Sequence, residues 1–125
     1  MVREKHRWVF IEVIGDKIDE RELTAAIRRK SYELFGTIGG AKIRFKLVEY
    51  DPENATGIIR VNLDGLDMLR TVFLFIREIN GKEVLINDRL VSGTIKALKT
   101  KIKQKKTWKE IWEEKKNLIS KLREE

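Results

Sequence analysis

The order of apolar patterns along this chain restricts its possible folds more than any other feature. Residues 6–14 (HRWVFIEVI) are rich in β-branched and aromatic side chains and apolar on both faces, which indicates a central strand covered on both sides. Apolar residues at helical spacing then predict a helix from about Asp19 to a glycine cap at Gly36. Two strands follow, 41–50 and 57–62, joined by a turn that contains the single proline.

The same pattern continues to residue 91. The spacing of Leu66, Leu69, Phe73 and Ile76 predicts a helix over 64–79, which Asn-Gly ends, and a fourth strand follows at 82–91. The resulting order β-α-β-β-α-β is that of the split-βαβ or ferredoxin-like fold, shared with RNA-recognition-motif domains. We therefore predict an α+β core with an antiparallel sheet.

Two further helices are predicted after this core. The first, over 94–105, is amphipathic and rich in lysine, and the second begins with a capping box at Thr107 and Glu110. The second helix carries an apolar stripe that must be buried on the open sheet face or on a partner protein. We expect one domain over 1–125, made of a core (1–91), a basic helix (92–106) and a C-terminal amphipathic helix (107–125).

Composition argues against most enzyme chemistry and against a membrane protein. The chain has no cysteine and a single histidine, so thiol catalysis, thiolate metal sites and histidine-based sites are not expected. His6 itself fits a structural role or a nucleic-acid contact better than that of a general base. No apolar run approaches the ~20 residues that span a bilayer, and the polar start of the chain does not resemble a secretory signal. We expect a cytoplasmic protein with the Lys- and Glu-rich composition of hyperthermophiles.

The positive charge of the chain is concentrated in residues 92–106. The formal net charge is +7, and this window holds six lysines and no acidic residue. A helix that needed only solubility would interleave acids, as residues 109–125 do. The pattern predicts binding to a phosphate backbone. The lysines concerned are Lys96, Lys99, Lys101, Lys103, Lys105 and Lys106.

The start of the basic helix and two strands offer further candidate RNA contacts. In VSGTIK (91–96), Ser92, Gly93 and Thr94 can receive a phosphate at the helix N-terminus or act as an ordinary helix cap. Arg60 can form a second basic surface with the cations of the preceding strand, Lys42, Arg44 and Lys46. Exposed lysines also protect sheet edges, so both readings of 42–46 stay open. Because GIIRVN has no aromatic residue, we expect recognition of RNA shape and backbone, with Trp8 and Phe10 packed under the C-terminal helices.

Three segments carry a resemblance to a known family. FGTIGGAKIRFKLVEYD, TGIIRVN and INGKEVLINDRLVSGTIKALK resemble the small archaeal and eukaryal protein subunits of ribonuclease P, called component 2 in archaea, over about 4–104. The resemblance implies a non-catalytic subunit of a ribonucleoprotein that removes 5′ leaders from precursor tRNA. It implies RNA contacts at Arg60, Ser92, Gly93, Thr94 and Lys96. Val61 stands where relatives often have cysteine, an apolar and conservative difference.

The resemblance also sets expectations for partners and cofactors. The expected partners are ribonuclease P RNA, precursor tRNA and the other protein subunits, above all a TIM-barrel-like one. Independently of the resemblance, the wide apolar arc of the second predicted helix leaves surface for a homodimer, and the residues indicate no membrane partner. The protein itself would bind no cofactor, and the RNA catalyst would use Mg²⁺. We assign the protein-partner interface to Leu66, Val72, Phe75, Trp108 and Trp112. Another RNA-binding role (ribosomal or RNA chaperone) and a protein-interaction module with a solubilising lysine helix remain alternatives.

Overall fold

The described part of the chain is a five-stranded antiparallel sheet with helices on both faces. The computed structural model describes the backbone of residues 5–124 and, within that range, all side chains except those of 105–111 and 124. Its elements are β1 (His6–Gly15), α1 (Glu20–Ala41), β2 (Phe45–Asp51), β3 (Thr56–Asn62), a 3₁₀ turn (Leu63–Gly65), α2 (Leu66–Phe75), β4 (Glu78–Ile79), β5 (Lys82–Ser92) and α3 (Ile95–Glu124).

The sheet confirms the predicted α+β architecture. Its strand order is β2-β3-β1-β5-β4, so β1 is central, as the apolar character of both its faces predicted. Val9 lies opposite Ile59 of β3 and Val91 of β5. Together with α1 and α2, this face of the sheet forms the main core, in which Phe73 is fully buried. The alternate residues of β1 lie on the other face, next to α3.

The second helix is shorter than predicted. Apolar spacing placed its end at Ile79, but α2 ends at Phe75, and Ile79 pairs with Lys82 in the hairpin of β4 and β5. Asn80 and Gly81 have φ values of 51° and 81° and form the turn of this hairpin. Such left-handed pairs match the twist of the flanking strands, which is why Asn-Gly is a strong hairpin signal. The dipeptide therefore turns the chain rather than ending the helix.

The first helix begins as predicted, because the Asp19 carboxylate accepts a hydrogen bond (2.8 Å) from Glu22 N. Gly36, with φ of 71°, interrupts it, and a further helical turn reaches Ala41. Gly40 lies within this last helical turn and not in a tight turn that leads directly into the next strand. It instead permits close packing, because a Cβ there would lie 2.7 Å from the Tyr32 ring. Because the helix continues to Ala41, β2 starts only at Phe45, four residues later than predicted.

The two predicted C-terminal helices are one continuous helix, α3, with no break at Thr107. Leu98 is fully buried, and Ile102 lines a groove with Phe10 and Ile58 of the sheet face that α1 and α2 leave open. Beyond residue 111 every described side chain is exposed. The described part of the apolar stripe is therefore not buried on the sheet; it comprises Trp112, Leu118, Ile119 and Leu122. No helix among the described residues is long and apolar enough to cross a membrane.

The turn between β2 and β3 is fixed by local hydrogen bonds. Asn54 Nδ2 donates to Asp51 Oδ2 (2.7 Å), and this bond, with two from backbone N–H groups, lowers the pKa of Asp51. A carboxyl whose pKa falls on folding stabilises the fold above its unfolded pKa, and that contribution is lost as pH falls through the folded value. Burial, and secondly the nearby Asp19 carboxylate, raise the pKa of Tyr50, whose hydroxyl donates to Ile18 O.

Candidate nucleic-acid interface

Four residues from four adjacent strands form a row across the sheet, on the face next to α3, and three of them are predicted RNA contacts. Trp8 of β1 lies opposite Ser92 of β5 on one side and opposite Arg60 of β3 on the other. Arg60 in turn lies opposite Lys46 of β2. Directly opposed residues point to the same face of a sheet, so the four side chains share one surface. We call Ser92, Trp8, Arg60 and Lys46 the cross-strand row.

An aromatic ring holds the central cation of this row. The Arg60 guanidinium carbon lies 5.9 Å from the Trp8 ring centroid, within the range of a cation–π interaction. Trp8 is half-buried in this position, while Phe10, two residues on, lies in the groove beside Ile102. The expected packing under the C-terminal helix therefore applies to Phe10, whereas Trp8 supports Arg60.

The cross-strand row ends at the beginning of α3. Thr94 Oγ1 accepts a hydrogen bond (3.1 Å) from Ala97 N, so Thr94 is the helix cap, one of the two roles considered for it. Helix geometry leaves the N–H groups of the first turn without intrahelical acceptors. Arg7, which the sequence interpretation did not single out, lies nearby: a Cβ at Gly93 would be 3.9 Å from Arg7 Nη1. Ser92 is buried just before this turn.

Two lysines of α3 contact the sheet. Lys99 forms an ion pair with Glu49 of β2 (2.8 Å), and Lys101 Nζ donates to Val91 O (3.2 Å), so both tie the helix to the sheet. Lys96 and Lys103 are exposed on the same segment. The side chains of Lys105 and Lys106 lie outside the described residues. We call the six lysines of residues 96–106 the lysine face. Its described members both attach the helix to the sheet and add positive charge to the surface.

A buried asparagine holds the cations that precede β2. Asn62 Oδ1 accepts a hydrogen bond from Arg44 N (2.8 Å), and Asn62 Nδ2 donates to Lys42 O (2.9 Å). Asn62 is 2% exposed, at the end of β3. The backbone at Lys42 and Arg44 is thereby fixed next to Lys46. Asn62 was not predicted, since its role depends on a contact between distant residues.

The residues assigned to a protein-partner interface lie in different environments. Phe75 and Trp112 are 56% and 66% exposed, as a partner surface requires. Leu66 is half-buried against the core, and Val72 is fully buried within it, so the prediction of Val72 as a surface contact is wrong. Val72 packs inward because α2 buries more than one side of its apolar arc. The side chain of Trp108 lies outside the described residues.

The described residues contain no group of three or more His, Asp or Glu side chains placed to hold a metal ion. Their carboxylates at the sheet and α1 serve other roles. Glu49, Asp88 and Glu22 form ion pairs with Lys99, Arg70 and Lys82.

Comparison with known proteins places the chain in a family. A model of the Rpp14/Pop5 family matches residues 7–103. The "Ribonuclease P protein component 2" of Pyrococcus horikoshii is 36% identical over 109 residues, which cover 86% of this chain and 91% of that protein. The "Ribonuclease P/MRP protein subunit POP5" of Schizosaccharomyces pombe is 34% identical over 113 residues, covering 77% and 81%.

A solved structure supports the fold assignment. A chain in the cryo-EM structure of yeast ribonuclease MRP matches with a TM-score of 0.63 and 11% identity, over 89% of this chain and 98% of that chain. At this identity the likeness shows the fold alone. The family match over residues 7–103 and the similar proteins from Pyrococcus horikoshii and Schizosaccharomyces pombe show that the chain belongs to the Rpp14/Pop5 family of ribonuclease P protein subunits.

Proposed function

We propose that the chain is the RNA-binding, non-catalytic subunit of ribonuclease P that supports the catalytic RNA in removing 5′ leaders from precursor tRNA. The observation that carries the proposal is the cross-strand row, which brings Lys46 and Arg60 into line with the capped N-terminus of α3. Two cations, free helix amides and the lysine face then form one continuous positive surface. Family membership supplies the RNA enzyme that such a surface would serve.

The physical role follows from charge. A catalytic RNA that uses Mg²⁺ must fold a dense polyanion and hold a second one, the precursor tRNA, close to it. Lysine and arginine contacts neutralise phosphates and release condensed counterions, which lowers this repulsion. In the proposed mechanism the RNA holds the Mg²⁺ and the chemistry, and the protein lowers the Mg²⁺ concentration at which the RNA works.

The proposal includes protein partners. The exposed Phe75 at the end of α2 and the exposed Trp112 on α3 are apolar surfaces that other subunits can cover, among them a TIM-barrel-like one. A homodimer would use the same kind of surface. We place the complex in the cytoplasm, where precursor tRNA would be processed.

A binding competition tests the proposal. The full chain is titrated with ribonuclease P RNA of its source organism and with a ribosomal RNA fragment of equal length, at about 0.15 M salt, near the physiological value. We expect tighter binding to ribonuclease P RNA. Equal affinity for both RNAs would favour a general RNA chaperone or ribosomal role. Absence of binding to either would favour a protein-interaction module.

A further inference from the structure

A basic depression lies where the end of α1 meets the beginning of β2. Its volume is about 650 Å³. It is lined by five side chains that carry or can carry positive charge: His6, Arg28, Arg44, Lys46 and Arg60. None of its described lining residues is acidic. Arg28 was not predicted as part of an RNA-binding site, and a nucleic-acid contact was only one of the two roles considered for His6. Nothing in the proposed function requires either residue.

The cations around the depression are held by rings and by strand register. The Arg28 guanidinium carbon lies 5.8 Å from the ring centroid of Phe45, and Arg60 lies over Trp8. Lys46 stands opposite Arg60 in the β2–β3 ladder. Their positions therefore do not depend on carboxylate partners, which would compete with an anionic ligand.

Several other described cations are paired with carboxylates. Lys30, Arg70, Lys82, Arg89 and Lys99 each form an ion pair with a carboxylate. Within the described residues, Arg28, Lys46 and Arg60 form no such pair. Positive charges gathered without counter-charge repel one another and cost stability, which a bound anion would reverse. Arg28, Lys46 and Arg60 thus line one depression without a carboxylate partner among the described residues.

A buried polar atom also lacks a partner here. His6 Nδ1 is buried and has no hydrogen-bond partner among the described residues. Buried polar groups are nearly always hydrogen-bonded, and an exception often indicates a missing water or ion. This orphaned atom is an observation independent of the arginines and lysine, and it belongs to a residue of the same depression.

An aromatic ring forms another wall. Tyr32 is 43% exposed, and its ring lies against the backbone of Gly40, where there is no Cβ to displace it. Exposed aromatic rings beside a basic groove are the stacking surfaces of proteins that bind single-stranded nucleic acid. A phosphate at the cations would bring its own nucleotide within reach of this ring.

We propose that this depression binds a phosphate group of a single-stranded RNA segment, with the adjacent base stacked on Tyr32. The inference rests on the proposed function for the source of the phosphate. It extends the cross-strand row, with which it shares Lys46 and Arg60, by an RNA contact centred on α1 and β2. Arg28 and His6 are its distinguishing residues.

The first test compares two arginines of the same helix. Arg28→Gln removes a cation from the depression, and Arg21→Gln removes an exposed cation elsewhere on α1. For Arg28→Gln we expect the slope of log K against log salt to fall by about 0.7, the value for one phosphate contact on a single strand. Arg21→Gln should retain the wild-type slope. Equal slopes in all three proteins would overturn the inference, and with intact wild-type RNA binding they would leave the proposed function standing.

The second test does not use RNA. The side-chain ¹⁵N signals of His6, the single histidine, are followed during titration with inorganic phosphate at constant ionic strength. We expect a saturable shift in the wild type and in Arg21→Gln, and a weaker one in Arg28→Gln. A linear, unsaturated response identical in all three would contradict a phosphate site. A saturable shift in a chain that binds no RNA would support the phosphate chemistry and refute both the RNA source and the proposed function.

A third variant tests whether a base stacks on Tyr32. Tyr32→Leu keeps an apolar side chain but removes the stacking ring, and we expect affinity for single-stranded RNA to fall about fivefold or more. Affinity for inorganic phosphate should not change. Thermal unfolding of the variant checks that Gly40 still packs correctly. A well-folded Tyr32→Leu protein with wild-type RNA affinity would contradict the stacking of a base on Tyr32.

Discussion

Replacing Lys96, Lys99, Lys103 and Lys106 with alanine is expected to weaken binding to ribonuclease P RNA strongly without unfolding the domain. If each lysine neutralises one phosphate, the slope of log K against log salt falls by about three units. Relative to 1 M salt, this corresponds to about two to three orders of magnitude in affinity at 0.15 M. Alanine preserves the helix, and the exposed ion pair of Lys99 with Glu49 contributes at most about 1 kcal/mol to stability. RNA binding measured over a range of salt concentrations checks the prediction.

The same helix supplies a matched control. Lys115, Lys116, Lys121 and Arg123 are four exposed cations of its distal half, where acidic residues balance them. Replacing these four with alanine removes the same charge, and we expect nearly wild-type affinity and slope. An equal loss in both quadruple variants would mean that net charge alone, and not the lysine face, governs binding. Circular dichroism establishes that both variants keep their helix.

Replacing Asn62 with alanine is expected to lower the free energy of unfolding by about 2 to 4 kcal/mol. Asn62 makes two hydrogen bonds, to Arg44 N and Lys42 O, and its loss leaves these backbone groups without partners. Each such loss costs about 1–3 kcal/mol where the group is shielded from water. The segment that carries Lys42 and Arg44 loses its two side-chain links to β3 and keeps the backbone bond from Asn62 N to Arg44 O (3.3 Å), so RNA affinity should decrease as well. Urea unfolding measures the first effect.

An exposed asparagine on another strand controls for the Asn62 experiment. Asn87 lies in β5, and its replacement with alanine should change the free energy of unfolding by less than about 0.5 kcal/mol. If Asn62→Ala is as mild as Asn87→Ala, the two hydrogen bonds do not hold the start of β2. The structural role assigned to Asn62 would then be wrong.

The features that the sequence predicted are those set by local spacing. The central position of β1 follows from apolar residues on both of its faces, and the helix starts near Asp19 and Thr94 follow from residue types within one helical turn. The fold class followed from the order of these elements. The lysine face was visible because six cations stand together without an acid.

The features that were missed depend on contacts between distant residues. The cross-strand row exists only through strand register, which the separate patterns of β1, β3 and β5 do not specify. Arg28 of α1 forms its cation–π contact with Phe45 of β2, a residue seventeen positions away in the sequence. The true end of α2 was hidden because Ile76 and Ile79 are buried, as helical spacing predicts, although both lie beyond the helix.

The central claim, that this chain assists an RNA catalyst, is tested most directly by reconstituted cleavage of precursor tRNA. Ribonuclease P RNA and the remaining protein subunits are assembled with the wild-type chain, with the lysine-to-alanine quadruple variant, or without either, and cleavage is measured over a range of Mg²⁺ concentrations. We expect the wild-type chain to lower the Mg²⁺ concentration needed for half-maximal cleavage, and we expect the variant to lose most of this effect. The same Mg²⁺ dependence in all three assemblies would contradict the central claim.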